Sequence, residues 1–334
     1  MFRSMHSAKN SRWLCLAAGV MAIVQVTTAF AEEPGSPGLL DKPGLADLAT
    51  GAIDAPTPKN IYQIPAKKLF GKQRVPAKLI PRAIGTYAKG CLSGAKAVPI
   101  NGDAWQVMRL SRNRNWGHPE LISLLEDLAI KAKANDGWNG LLVGDLSQPR
   151  GGPMLTGHAS HQIGLDADIW LTPMPDRILS QKERENISAT IVTKSRLEIN
   201  QKVWTDKHAS LIMRAAKYAK VGRIFVHPPI KAELCKWATG DRSWLAKVRP
   251  LYGHNYHFHI RMKCPVGMAG CKDQWTPKPK DGTGCGEELA YWMSDIPWKP
   301  RKRDPSIPYV KPKPVPPLTL SGLPAECRAV ISAP

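Results

Sequence analysis

Two short stretches hold five of the chain's nine histidines, and each alternates polar with apolar residues. The first runs Gly157-His158-Ala159-Ser160-His161-Gln162-Ile163-Gly164-Leu165-Asp166-Ala167-Asp168. The second runs Gly253-His254-Asn255-Tyr256-His257-Phe258-His259-Ile260-Arg261. In an extended strand, side chains at i and i+2 share a face. His257 and His259 then project together, with Tyr256, Phe258 and Ile260 turned the other way. Asp166 and Asp168 likewise share a face, opposite Leu165, Ala167 and Ile169. His161 precedes Gly164 in the loop entering that strand, where it can fold back toward Asp168. A site drawing on both stretches requires a fold that sets these strands together.

The surrounding pattern predicts an α+β class: a single catalytic domain with a central antiparallel β-sheet flanked by helices and long loops, stabilised by disulfides. Pro119 to Asn135 reads as a helix, with Pro in its first turn and Leu121, Leu124, Leu125 and Leu128 on one face. Gln201 to Lys220 repeats the pattern. Strands are expected at 140–146, 164–170, 223–226 and 256–262, and residues 171–196 read as a long loop with a helical turn. His118 helps to start the first helix, His227 reads as a loop histidine before Pro228-Pro229, and the tryptophans read as core.

The ends of the chain are of another kind. Arg3, Lys9 and Arg12 precede an apolar run from Trp13 to Val26, and Ala29-Phe30-Ala31 offers small residues for cleavage. That is the form of a secretory signal peptide over residues 1–31, and the run is shorter than the roughly 20 residues a spanning helix needs. No later stretch is apolar enough to span a bilayer. Residues 32–65, rich in Gly, Pro, Ala and Asp, read as a flexible leader. A catalytic domain is expected over 66–296. From 297 to 334 lies a basic extension with eight prolines between 297 and 317, tied back through Cys327.

Of seven cysteines, Cys15 lies inside the apolar leader, which leaves Cys91, Cys235, Cys264, Cys271, Cys285 and Cys327. An even count in an exported chain reads as three disulfides, with 15 possible pairings, and Cys264 and Cys271 are close enough to staple one loop. No C-x-x-C pair is present, which disfavours a cysteine zinc site. The formal net charge is +20, three of which fall in the expected signal peptide. Such a surface favours a polyanion. For an exported protein that is peptidoglycan or another envelope polymer or lipid rather than nucleic acid.

Imidazole and carboxylate are natural zinc ligands. Two ligands from one stretch and one from the other leave a fourth position for water, the form of a catalytic zinc site. The absence of H-E-x-x-H removes the usual glutamate base. His161 with Asp168 forms H-x(6)-D, and His257-Phe258-His259 forms H-x-H. Together, in this order, they resemble the zinc metallopeptidases that group lysostaphin-type endopeptidases, D-Ala-D-Ala peptidases and the hedgehog amino-terminal domain. The nearer resemblance, over roughly residues 69–327, is to the penicillin-insensitive murein endopeptidase family.

The resemblance implies one zinc ion per chain, held by His161, Asp168 and His259, with His257 as the catalytic histidine beside the metal. His158 and His254 match two further active-site histidines. Asp166 is expected to orient a ligand histidine or to take a proton. The resemblance also implies disulfides Cys91–Cys327, Cys235–Cys285 and Cys264–Cys271, a periplasmic location, and hydrolysis of peptidoglycan cross-links between D-alanine and meso-diaminopimelate or between two diaminopimelates. β-Lactams should have no serine to acylate. Two alternatives stand beside this expectation: a D,D-carboxypeptidase of the same fold, and a zinc-containing protein that binds polyanions without cutting them. The sequence is equally consistent with a monomer and with a homodimer.

Overall fold

The computed structural model describes residues 60–299, 306, 308, 309, 311 and 313–334. The expected signal peptide, almost all of the expected leader and part of the basic proline stretch lie outside the described residues. Among the described residues, no helix is long and apolar enough to cross a membrane.

A mixed seven-stranded sheet forms the centre. Its strands, numbered in chain order, are β1 (Asn101–Gly102), β2 (Trp105–Val107), β3 (Leu141–Val143), β4 (Asp166–Trp170), β5 (Val221–Val226), β6 (Val248–Pro250) and β7 (His257–Met262). Their spatial order is β6–β5–β7–β4–β3–β2–β1. The inner pairings β5·β7, β7·β4 and β4·β3 are antiparallel, as expected. The expectation of an antiparallel sheet needs correcting at both flanks, where β6·β5 and β2·β3 are parallel. The physical reason is the connections: helical crossovers join β2 to β3 and β5 to β6, and such crossovers return a strand in the same direction.

The central strands β4 and β7 are buried at every residue. One face, with Ala167, Ile169, Phe258, Ile260 and Met262, belongs to the main apolar core. Against that core pack α1 (Pro119–Asn135) and α2 (Asp206–Lys217). His118 caps α1, its Nδ1 accepting from the Glu120 backbone N–H at 3.3 Å. Leu121, Leu125 and Leu128 are almost fully buried, each contributing about 1.5–3 kcal/mol of transfer free energy. The second helix begins at Asp206 rather than at Gln201. Thr205 is its cap, with His208 Nδ1 turned back to the Thr205 N–H at 3.1 Å. A third helix, α3 (Pro228–Trp237), starts on the two prolines with His227 as its cap residue. Pro fits a first helical turn because its missing N–H has no partner there anyway.

A smaller apolar cluster joins distant parts of the chain. Ala66 and Phe70, from a short helix at Ala66–Phe70, meet Ile84 and Cys91 of the hairpin Arg82–Thr86/Lys89–Ser93. Leu320, Leu323, Cys327 and Val330 near the C-terminus complete it. The Cys91–Cys327 disulfide crosses this cluster, and Arg150 Nη1 donates to the carbonyls of Val330, Ile331 and Ala333 at the end of the last helix. Cys235–Cys285 and Cys264–Cys271 are also bonded, so all three expected pairs are present.

Candidate metal centre

Strand register carries the chemistry. Asp168 on β4 pairs with His259 on β7, which pairs with Phe225 on β5. Two residues along, Asp166 pairs with Arg261, which pairs with Arg223. His257 stands opposite Trp170. The period-two alternation thus puts Asp166, Asp168, His257, His259 and Arg261 on the face away from the apolar core.

His161 reaches Asp168 from the loop before β4. Its φ is +65°, a left-handed conformation that a non-glycine residue adopts at a cost of about 1 kcal/mol or more. What holds it there is Asp166, whose Oδ2 accepts from the His161 backbone N–H at 2.9 Å. Gly164, at φ +70°, completes the turn; a Cβ there would lie 2.5 Å from Leu92 Cδ2 and 2.9 Å from the His118 nitrogen. Ring nitrogens of three histidines converge on Asp168 Oδ1: His259 Nδ1 at 3.1 Å, His161 Nε2 at 3.4 Å and His257 Nε2 at 3.7 Å. His158 approaches the other oxygen, with Nδ1 3.6 Å from Oδ2. The ligand atoms of His158, His161 and Asp168 lie within 4.8 Å of one another.

These groups are buried without hydrogen-bond alignment. Both ring nitrogens of His161, Asp168 Oδ1, His257 Nδ1 and His259 Nε2 are buried and lack a hydrogen-bond partner among the described residues. A buried polar atom left unpaired costs about 1–3 kcal/mol. Of these atoms, His161 Nε2 and Asp168 Oδ1 face each other at the centre, 3.4 Å apart without an aligned hydrogen bond, an arrangement that a bound cation relieves. The donor set of imidazoles and carboxylate suits a divalent transition metal.

The remaining expected residues stand around this point. Asp166 is fully buried and turned away from the cleft. Arg261 Nε and Nη2 donate to its two oxygens at 2.8 and 3.0 Å, and His259 Nε2 lies 3.1 Å from Oδ1. Burial alone would raise the Asp166 carboxyl, but the charges of Arg261 and His259 hold it far below the usual range. His254 donates from Nδ1 to the Tyr252 carbonyl at 2.8 Å, and its ring lies 4.9 Å from that of His257. Burial, then the neighbouring His257 and His259, pushes its imidazole down to about 3. His257 is lowered by burial, with Asp168 opposing.

Asp145, just beyond β3, was not singled out in the sequence. Its Oδ2 receives His158 Nε2 at 3.0 Å, Arg112 Nη1 at 3.0 Å and Arg114 Nη1 at 2.9 Å. Burial would raise this carboxyl, but His158 and the arginines bring it to about 2. Arg261, part of the second histidine stretch, was likewise given no role there. The only sequence signal for Asp145 is a charged residue closing the apolar run Leu141–Val143, which is common at strand ends.

Two cavities adjoin these residues. One of about 300 Å³ is lined by Asp145, His158, Asp168, Tyr256 and His257, and another of about 520 Å³ by His158, His254 and His259. Buried imidazoles and a carboxylate beside an open cleft, on the face of the mixed sheet away from the apolar core, fit a metal-dependent hydrolase as the class of protein. Comparison with known proteins agrees. A family model described as penicillin-insensitive murein endopeptidase matches residues 83–332. The penicillin-insensitive murein endopeptidase of Haemophilus influenzae is 43% identical over 251 residues, which are 75% of this chain and 82% of that protein. Those of Yersinia enterocolitica and Pectobacterium atrosepticum are 40% and 39% identical, over 75% of this chain and 86% and 84% of their own. The chain belongs to the penicillin-insensitive murein endopeptidase family.

Proposed function

We propose that this enzyme is a zinc-dependent endopeptidase of the periplasm that hydrolyses peptide cross-links of peptidoglycan, between D-alanine and meso-diaminopimelate and also between two diaminopimelates. The observation that carries the reading is the convergence of His161, His257 and His259 on one oxygen of Asp168, without hydrogen bonds, at the floor of the cleft. Two cavities that share His158 give room for substrate beside that point. The three disulfides support an oxidising compartment, with residues 1–31 as the signal peptide.

His161, Asp168 and His259 would hold the zinc. His259 is preferred to His158 as the third ligand because its Nδ1 lies 3.1 Å from Asp168 Oδ1, the oxygen that His161 also approaches, whereas His158 Nδ1 lies 3.6 Å from Oδ2. When bound, zinc supplies Lewis acidity toward the scissile carbonyl and lowers the pKa of a water toward about 7. Asp166 is a positioning residue, holding the His161 backbone and facing the outer nitrogen of His259. His254 keeps its proton on Nδ1, against the Tyr252 carbonyl, which leaves Nε2 as a hydrogen-bond acceptor in the cleft beside His257 and His259. His257 faces the centre and donates toward the developing oxyanion. His158 is oriented by Asp145 on its Nε2 and turns its Nδ1 toward Asp168, where it can donate to negative charge on the substrate. No step needs a serine nucleophile, so β-lactams have nothing to acylate.

Isolated sacculi incubated with the purified protein provide the test. Cross-linked dimers should fall as monomers grow, a chelator should stop this and zinc should restore it, and His161→Ala should lose both bound metal and turnover. Free D-alanine with unchanged dimers would instead make the enzyme a carboxypeptidase, and retention on sacculi without any product would make it a binding protein.

A further inference from the structure

Beside the metal centre, on the same sheet face, three guanidinium groups gather: Arg261 on β7, Arg223 paired opposite it on β5, and Arg249 on β6. Two of them are neutralised. Arg261 is held by Asp166 and by Gln274 Oε1, and Arg249 donates to Glu288 Oε1 from Nε at 2.7 Å. Arg223 has neither. Among the described residues its guanidinium makes no hydrogen bond and no ion pair, and its Nη2 is buried without a partner. The ring of Phe225 lies 5.3 Å from its guanidinium carbon and in turn 5.3 Å from the ring of His259, and Glu288, which lines the same cavity, attracts the guanidinium without a hydrogen bond to it. Burial, then the charges of Arg249 and Arg261, lowers it to about 10.

An unpaired, partly buried guanidinium crowded by two others is costly, and a water can satisfy an N–H but cannot cancel the charge. The site is also open to a ligand. Arg223 lines the 520 Å³ cavity that contains His254 and His259, and also an adjoining cavity of about 490 Å³. The second cavity adds Lys247, Lys263 and Lys278. Its acid, Asp273, is occupied at Oδ1 by the Tyr87 hydroxyl and the Cys264 N–H. The planar fork of an arginine matches a carboxylate through two parallel N–H bonds.

We propose that Arg223 is a specificity-determining residue that seats a free carboxylate of the substrate peptide, one aromatic ring away from the metal centre. This rests on the murein reading for its ligand, since stem peptides carry several free carboxylates, whereas the pocket itself rests on the geometry of Arg223. Phe225 keeps the guanidinium from turning toward His259, and the lysines of the adjoining cavity add long-range attraction.

The test is calorimetric binding of a monomeric stem tetrapeptide ending in D-alanine to the zinc-loaded, full-length mature enzyme. The peptide is used with all carboxylates free, and with each carboxylate amidated in turn. One amidation should weaken binding about ten- to a hundredfold, the worth of a charge-assisted pair. Arg223→Gln should bind the free and amidated forms alike, and Arg223→Lys should keep part of the preference. Equal binding of every form by the wild-type enzyme overturns the proposal without relying on any variant, as does full discrimination by Arg223→Gln. Dimer cleavage by the same wild-type preparation separates the two readings. Carboxylate discrimination without cleavage leaves the pocket standing and removes the endopeptidase; cleavage without discrimination does the reverse.

Discussion

Replacing Asp166 by Asn keeps the shape of the side chain and removes one charge from the best-buried ion pair of the site. Asp166 is 0% exposed and Arg261 8%, and two aligned bonds of 2.8 and 3.0 Å join them. Removing one partner of such a pair leaves the other charge buried and uncompensated, at a cost of about 3–5 kcal/mol. The lower half of that range applies, because Arg261 keeps Gln274 and lies 4.3 Å above the Tyr87 ring and 5.1 Å from Phe225. About 3 kcal/mol, or a fall of roughly 10 °C in Tm, is expected for a domain of this size. Urea unfolding of metal-free protein with its disulfides intact measures it. Adding Arg261→Met should recover a good part of the loss, since an apolar partner no longer needs the charge. Asp166 also holds the His161 backbone, so metal affinity should fall about ten- to a hundredfold. An Asp166→Asn protein within about 1 kcal/mol of wild type, or a double variant that loses the full sum of both single costs, would refute the reasoning.

Two further outcomes follow from other parts of the molecule. Lys231 is fully buried, donating to the Leu245 and Thr283 carbonyls at 2.6 and 2.7 Å, and burial lowers its ammonium to about 7. Between that value and about 10.4 the unfolded chain holds a proton that the folded one releases, so stability rises with pH in this window and is flat below it. Denaturation between about pH 7 and 9 should show the rise in wild type and its absence in Lys231→Met; identical slopes would contradict it. Replacing Cys91 and Cys327 together by serine opens a link between residues 236 apart, costing about 5.5 kcal/mol in the chain-entropy account. Hydrogen exchange should then rise selectively over residues 319–334 and the hairpin at 82–93, and a uniform rise across β4 and β7 would argue against a separate C-terminal cluster.

What could be read in the chain alone was whatever local periodicity records. The alternation in 164–170 and 256–262 identified both central strands and divided their residues between core and site, because a strand has only two faces. Pro119 and the leucines after it located α1 for the same kind of reason, and the even cysteine count announced disulfides. Contacts between segments far apart in sequence leave no such record. Asp145 reads as an ordinary strand-end acid until the fold carries it to His158, and the strained φ of His161 becomes visible only with the hydrogen bond to Asp166 that sustains it. The parallel flanks of the sheet depend on which strands the crossovers bring together. Arg223 looks like any arginine in an apolar strand; the register that sets it beside Arg261, while Asp166 and Glu288 bond its two neighbours, is what leaves its guanidinium without a hydrogen-bond partner. Periodicity decides which way a side chain points, but only the tertiary structure decides what it meets there.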